Sequence, residues 1–333
     1  MSAVSEQKPK SYIAQLIDTG AHQRILAFAS LIVLLIGFSI ASGNFMQTSN
    51  MIAILQATSV NGVLAIAATL VIITGGIDLS VGTLMTFTAV TAGIVLTNAG
   101  MPLPLGVLAA IGMGAFCGLI SGTFVAKMKI PPFIATLGMM LILKGLSLIV
   151  SGTRPIYFND TPGFDQISRG SLIGEIFPAV PIPNGVLILF LVAIAASYIL
   201  SRTVLGRYCF ALGSNEEAVR LSGVNTDRWK MAIYALAGGI CGIAGILIAS
   251  RLNSAQPALG LGYELEAIAA VVIGGTSLSG GRGTVLGTLV GALIMAVLTN
   301  GLRVMSVAQE WQIVATGAII ILAVYADMIR QRK

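Results

Sequence analysis

The sequence predicts an all-α, polytopic membrane protein of about ten transmembrane helices, and three observations predict it. Of 333 residues, 56% are apolar and only 10% are charged, where a soluble protein carries about a quarter charged residues. So few charges cannot clothe a water-facing surface, which excludes a soluble enzyme, a nucleic-acid-binding domain and a disordered chain. Several apolar runs approach or exceed the roughly 20 residues that cross a bilayer. The basic residues behind the net charge of +6 stand in the gaps between these runs, not in a patch interleaved with aromatics.

Polar or Gly/Pro breaks divide the runs into spans at 25–42, 51–74, 81–98, 104–126, 131–151, 185–201, 231–250, 264–275, 285–302 and 311–327. The first follows Lys8, Lys10 and Arg24. Its apolar stretch, Ile25 to Ala41, exceeds the roughly 7–15 residues of a signal-peptide core and reads as an uncleaved span. The second ends at Gly75-Gly76. The eighth is too short to cross as a regular helix, so a broken or half-crossing helix is expected there, as transporters tolerate where freed backbone lines a cavity. Broken helices are therefore expected near 74–80 and 274–284. An internal echo agrees: AIAATLVIITGGIDLS (65–80) and AIAAVVIGGTSLS (267–279) share AIAA and GGxxLS. Glycines four apart (Gly114, Gly118 and Gly122; Gly238 and Gly242; Gly283, Gly287 and Gly291) bare one helix face each and predict close helix packing.

With the N-terminus inside, fourteen Lys and Arg fall in inner segments. Only Arg154, Arg169, Arg251 and Arg303 fall outside, and Lys144 lies within a span. That bias sets the orientation, with both termini cytoplasmic. The chain then divides into a cytoplasmic segment 1–24, a single transmembrane domain 25–327 and a cytoplasmic tail 328–333. The domain carries an outer loop at 152–184 and an inner loop at 202–230.

Most enzyme chemistry is missing. The single histidine, His22, excludes HExxH metalloprotease chemistry. No strict GxSxG elbow is present. The absence of any Gly-Lys dipeptide rules out a GxxxxGK[ST] phosphate loop, so energy from ATP comes from another chain or not at all. Cys117, Cys209 and Cys241 form no CxxC pair and suggest neither a disulfide framework nor a metal site. Asp78, in GGIDLSVG (75–82), reads either as a helix N-cap or as part of a polar turn bordering a substrate path, with Gly75-Gly76 as hinge. Glu264 and Glu266 enter the short eighth span, either capping it or facing the mouth of the path. Lys144 reads as a paired or snorkelling cation or as a substrate contact. The acids stand near span ends, which disfavours a proton relay.

In the inner loop, Glu217-Ala218-Val219 followed by Gly223 matches the EAA-x-x-x-G pattern of importer permeases, with Val at the third position. A short amphipathic helix ending near a glycine can project as a knob for a partner's groove, with Glu216 and Arg220 at its rim.

Longer motifs extend this likeness. ALGSNEEAVRLSGVN (211–225), TGGIDLSVG (74–82), GYELEAIAAVVIGGTSLSGGRGT (262–284), IPPFIATLGMMLILKG (130–145) and RLNSAQP (251–257) resemble, in order, the ribose-type sugar permeases of bacterial ABC importers. The resemblance implies a ten-helix inner-membrane subunit, paired with a second permease subunit. It also implies a cytoplasmic ATPase that holds ATP and magnesium, so this chain needs no cofactor of its own, and a periplasmic sugar-binding protein. Beyond these and the membrane lipid it implies no nucleic acid, catalytic residue or metal. By motif it places the ATPase contact on Gly213, Asn215, Glu217, Ala218, Ser222 and Gly223. It places path or hinge residues at Gly75, Gly76, Asp78, Ser80, Gly274 and Gly275. The rival expectation is a secondary sugar transporter driven by an ion gradient.

Overall fold

The computed structural model describes residues 21–178 and 181–331. Most of the expected N-terminal segment 1–24 and the last two residues of the expected tail lie outside the described residues.

A helix occupies each expected apolar run. In order these are α1 (Ala21–Ala41), α2 (Thr48–Ile73), α3 (Val81–Gly93, continued by a π-helical turn Ile94–Asn98), α4 (Leu103–Ala126) and α5 (Pro132–Val150). A segment with the two-residue strand β1 (Ile156–Tyr157), a 3-10 turn (Asp165–Ile167) and α6 (Leu172–Ile176) follows. Then come α7 (Asn184–Arg202), α8 (Val204–Leu221), α9 (Thr226–Leu252), strand β2 (Ser254–Ala255), α10 (Tyr263–Ile273), α11 (Val285–Val304) and α12 (Gln309–Gln331). Among the described residues, seven helices are long and apolar enough to cross a membrane: α2, α3 with its π-helical end, α4, α5, α7, α9 and α11. The apolar stretches Ala27–Ala41 and Gln309–Tyr325 are shorter. At 11 residues, α10 is about 16 Å long, half of a hydrocarbon core of about 30 Å.

Local chemistry sets the boundaries. Pro102, Pro131 and Pro183 stand extended just before α4, α5 and α7. Their missing N–H and fixed φ suit a helix entrance. Thr203, Asn225 and Thr284 cap α8, α9 and α11 by accepting from the backbone N–H groups of Gly206 (3.3 Å), Arg228 (3.0 Å) and Gly287 (3.2 Å).

The helices α2 and α10 end alike. Gly75 (φ +79°) and Gly275 (φ +89°) both adopt the left-handed conformation. The N–H of Gly75 donates to Ile72 O and that of Gly76 to Val71 O; the N–H of Gly275 donates to Val272 O and that of Thr276 to Val271 O. This is the Schellman closure, which favours glycine because a Cβ is strained there. The sequence echo is therefore also a conformational one, but shifted by one residue: Gly75 matches Gly275, whereas the GGxxLS motif aligns it with Gly274.

The core surrounds α2, which is buried without interruption from Gly62 to Ile73. The glycine ladders mate with one another. A Cβ on Gly114 would overlap the Gly238 carbonyl oxygen, and one on Gly118 would overlap that of Tyr234, so α4 and α9 meet backbone to backbone. A Cβ on Gly287 or Gly291 would overlap the carbonyl oxygen of Gly274 or Ala270, which places α11 directly on α10.

The expected outer loop is folded. β1 pairs antiparallel with β2, Ile156 opposite Ala255. Phe158 and Phe164 stack with ring centroids 3.8 Å apart, both buried. Ser250 in α9 ties this cap down: its Oγ accepts from Ser168 N (2.8 Å) and donates to Asp165 O (3.1 Å). Ser250→Ala removes both of these bonds and leaves the Ser168 N–H only its bond to Asp165 O, at a cost of about 0.5–1.5 kcal/mol for each bond lost. The expected result is faster proteolytic nicking within 151–178 of otherwise intact protein; an unchanged nicking rate would contradict the anchoring role.

Candidate coupling and translocation site

The segment α8 is two helices joined at a kink. Asn215 leaves helical geometry (φ −162°, ψ 94°). Its Oδ1 accepts from Ala218 N at 2.9 Å, capping a second, short helix over 216–221. Gly223 (φ +85°) closes that helix, its N–H donating to Arg220 O at 3.1 Å. Lys230 of α9 fixes the near end through a 2.6 Å ion pair with Glu216. Glu217, Ala218, Ser222 and Gly223 are exposed on this knob, with Leu221 80% exposed beside them. Val219, the departure from the EAA pattern, is half-buried against the core, where a branched apolar side chain fits.

Gly213 has a different task. It ends the first half of α8 against both helix breaks. A Cβ there would overlap the Ile73 carbonyl oxygen and the Gly281 nitrogen. Those two groups are bonded to each other, Gly281 N–H to Ile73 O at 2.8 Å. Gly280 closes the cluster from the other side, since a Cβ on it would lie 2.8 Å from Gly75 N and 3.0 Å from Gly213 Cα. Three backbones, the end of α2, the 274–284 break and α8, thus meet at one junction. Of the six residues matched to the ATPase contact, Gly213 faces this junction and Asn215 caps, while the other four lie exposed on the knob.

The path or hinge candidates are mostly internal. Asp78 is 5% exposed, and its Oδ1 accepts from both the N–H (2.8 Å) and the hydroxyl (2.6 Å) of Ser80. The residue preceding α3 is Ser80, so Asp78 shapes the turn two residues before the helix and does not cap it. Ser277 makes the corresponding turn in the second break, its Oγ accepting from Ser279 N at 3.3 Å. Thr136 of α5 staples the first break, its Oγ1 3.1 Å from both Leu79 N and Ile77 O. Gly76 is buried under the Tyr234 hydroxyl, which a Cβ would approach to 2.6 Å. Gly274 is buried against Gly287, whereas Gly75 is exposed at the turn. These residues set the shape of the breaks. Sequence reasoning missed Ile73, Gly281, Thr136, Tyr234 and Leu221. Only the glycine run at 280–283 signalled the junction, through its need for unusual backbone.

Helices bared for close packing, two matched breaks and an exposed capped knob seated on them make this a polytopic membrane protein. The model of the branched-chain amino acid transport system permease component matches residues 50–324, and the chain belongs to that family. The chain is 45% identical to the ribose import permease protein RbsC of Escherichia coli K12, over 91% of this chain and 92% of that one. It is 41% identical to the fructose import permease protein FrcC of Rhizobium meliloti, over 89% and 83%. With the xylose transport system permease protein XylH of E. coli K12 it shares 33% identity, over 93% of each. No solved structure matches.

Proposed function

We propose that this chain is the permease subunit of an ATP-driven importer for a monosaccharide, such as a ribose-like pentose, a hexose or a related polyol. The observation that carries the reading is that relatives matched over nearly their whole length are import or transport permeases for ribose, fructose and xylose. The chain pairs with a second permease subunit in the bacterial inner membrane, crossing it ten times with 1–24 and 328–333 in the cytoplasm. The fourteen-to-four bias of basic residues supports that orientation. The knob at 215–223 docks a separate ATPase, which binds ATP and magnesium, and a periplasmic binding protein delivers the sugar to the opposite face. ATP binding draws the ATPases together and moves the knob. Through Gly213 that motion reaches both breaks and biases the bundle between outward- and inward-open states.

Gly223→Trp tests the docking. A Cβ at Gly223 meets nothing within 4 Å, so the bulk projects into open space, while the left-handed backbone (φ +85°) adds strain at the exposed end of the knob. The variant is expected to fold and reach the membrane but to lose the ATPase in a mild-detergent pull-down that retains it with the wild type. Equal retention by both would contradict the docking assignment.

A further inference from the structure

We propose that Asn61 and Glu266 form a contact for sugar hydroxyls on the translocation path. The inference rests on the importer reading and deepens it by naming where the sugar is touched.

Depth is the first observation. Asn61 stands at the midpoint of α2, about 18–20 Å of helix from either end. Because α10 is a half-length helix, its first turn begins at this depth and not at a membrane surface. The loop before it descends against the first turns of α3: Thr86 Oγ1 donates to Leu259 O at 2.8 Å, and a Cβ on Gly82 would overlap the Gly260 carbonyl oxygen. There Asn61 Nδ2 donates to Glu266 Oε2 at 2.7 Å.

Exposure is the second. The rest of α2 below Asn61 is buried without interruption, yet Asn61 and Glu266 are each only partly buried. A carboxylate and an amide at mid-depth do not face lipid tails, because the charged group is too costly to leave in hydrocarbon. Their open side therefore faces either water or protein, and we assign it to the aqueous path.

The two acids entering α10 also have separate duties. Glu264 is 6% exposed, and both its carboxylate oxygens accept from Gly262 N, at 3.0 and 3.1 Å. It closes the helix start by itself, which leaves Glu266 without a capping role. The bond to Asn61 uses one carboxylate oxygen and one amide N–H. Glu266 Oε1, Asn61 Oδ1 and the second amide N–H remain, two acceptors and a donor side by side. That set matches neighbouring hydroxyls of a sugar, each of which both donates and accepts. Arg303, in the last turn of α11, lies within electrostatic reach of Glu266.

The test uses membrane vesicles carrying the complete importer. Asn61→Cys is expected to react with a charged methanethiosulfonate from the aqueous phase, over a wild-type background kept low by three buried cysteines. In the same system Glu266→Gln is expected to lower ATP-driven uptake of labelled D-ribose, D-xylose or D-fructose about tenfold, the scale of one charge-assisted hydrogen bond. Glu266→Asp is expected to retain most uptake, and membrane abundance and ATPase retention are expected to stay at wild-type levels in both. An unreactive Cys at position 61, covered by lipid or by the second subunit, would overturn the site. So would wild-type uptake by Glu266→Gln, or loss of abundance in step with uptake. A wild type with no ATP-driven uptake of any of the three sugars would overturn the importer reading itself, and the site with it.

Discussion

Gly213→Ala is expected to abolish sugar uptake while leaving the permease in the membrane and bound to its ATPase. The added methyl falls on the Ile73 carbonyl oxygen and the Gly281 nitrogen, two backbone atoms already bonded to each other. Neither is the far end of a flexible side chain, so α8 must stand off or the Ile73–Gly281 bond must break. Overpacking of this kind costs about 1–3 kcal/mol. Set against a two-state bundle, the same energy shifts populations by about 5- to 150-fold. The exposed knob keeps its surface, so ATP hydrolysis proceeds without transport. The measurement is ATP hydrolysed per sugar accumulated in vesicles. A wild-type ratio would show that the junction transmits nothing.

The second large effect lies in the seam between α4 and α9. Gly118→Leu drives a side chain into the Tyr234 carbonyl, with Gly238 Cα only 3.1 Å from the first added carbon. At this point the seam is backbone against backbone, with Gly114 and Gly118 both against Gly238, so no flexible side chain is there to move aside. Association in a membrane relies on such close van der Waals packing, since lipid tails give helices no hydrophobic drive to associate. Loss of the folded bundle is expected, read as disappearance of the monodisperse peak in detergent and a collapse of membrane abundance. Gly112→Leu is the control in the same helix, since a Cβ there meets nothing within 4 Å. It is expected to purify as the wild type does. Equal behaviour of the two variants would contradict the seam.

Much of this architecture was legible because membrane burial writes itself along the chain. Apolar runs located the helices, and the shortness of 264–275 announced the half-length α10. Glycines four apart announced faces of close approach. What the chain could not announce was partnership. Nothing local says that Gly118 meets Tyr234 and not another ladder, because that choice is made by the whole bundle. The first break shows the same limit. An Asp at the start of an apolar run suits an N-cap, but two residues of turn separate Asp78 from α3, and its carboxylate is consumed by Ser80. Gly213 lay in a motif read as a partner contact, and its inward orientation emerges only when Ile73 and Gly281, far away in sequence, arrive beside it. The segment 151–178 read as a loop because its order comes from a two-residue strand pair, a phenylalanine stack, two short helical turns and the Ser250 bonds, each too short a pattern for periodicity to register. For Glu264 and Glu266 the sequence left capping and path-facing open; the hydrogen bonds give the closing of the helix start to Glu264 and pair Glu266 with Asn61.

The energy source for uptake tests the account most directly. Cells carrying the complete system are given labelled ribose, xylose or fructose while ATP is depleted with the proton gradient held, or the gradient is dissipated with ATP held. The account predicts that uptake stops with ATP depletion and continues without the gradient. Uptake that survives ATP depletion and stops with the gradient would contradict it, and would make the chain a self-sufficient secondary transporter.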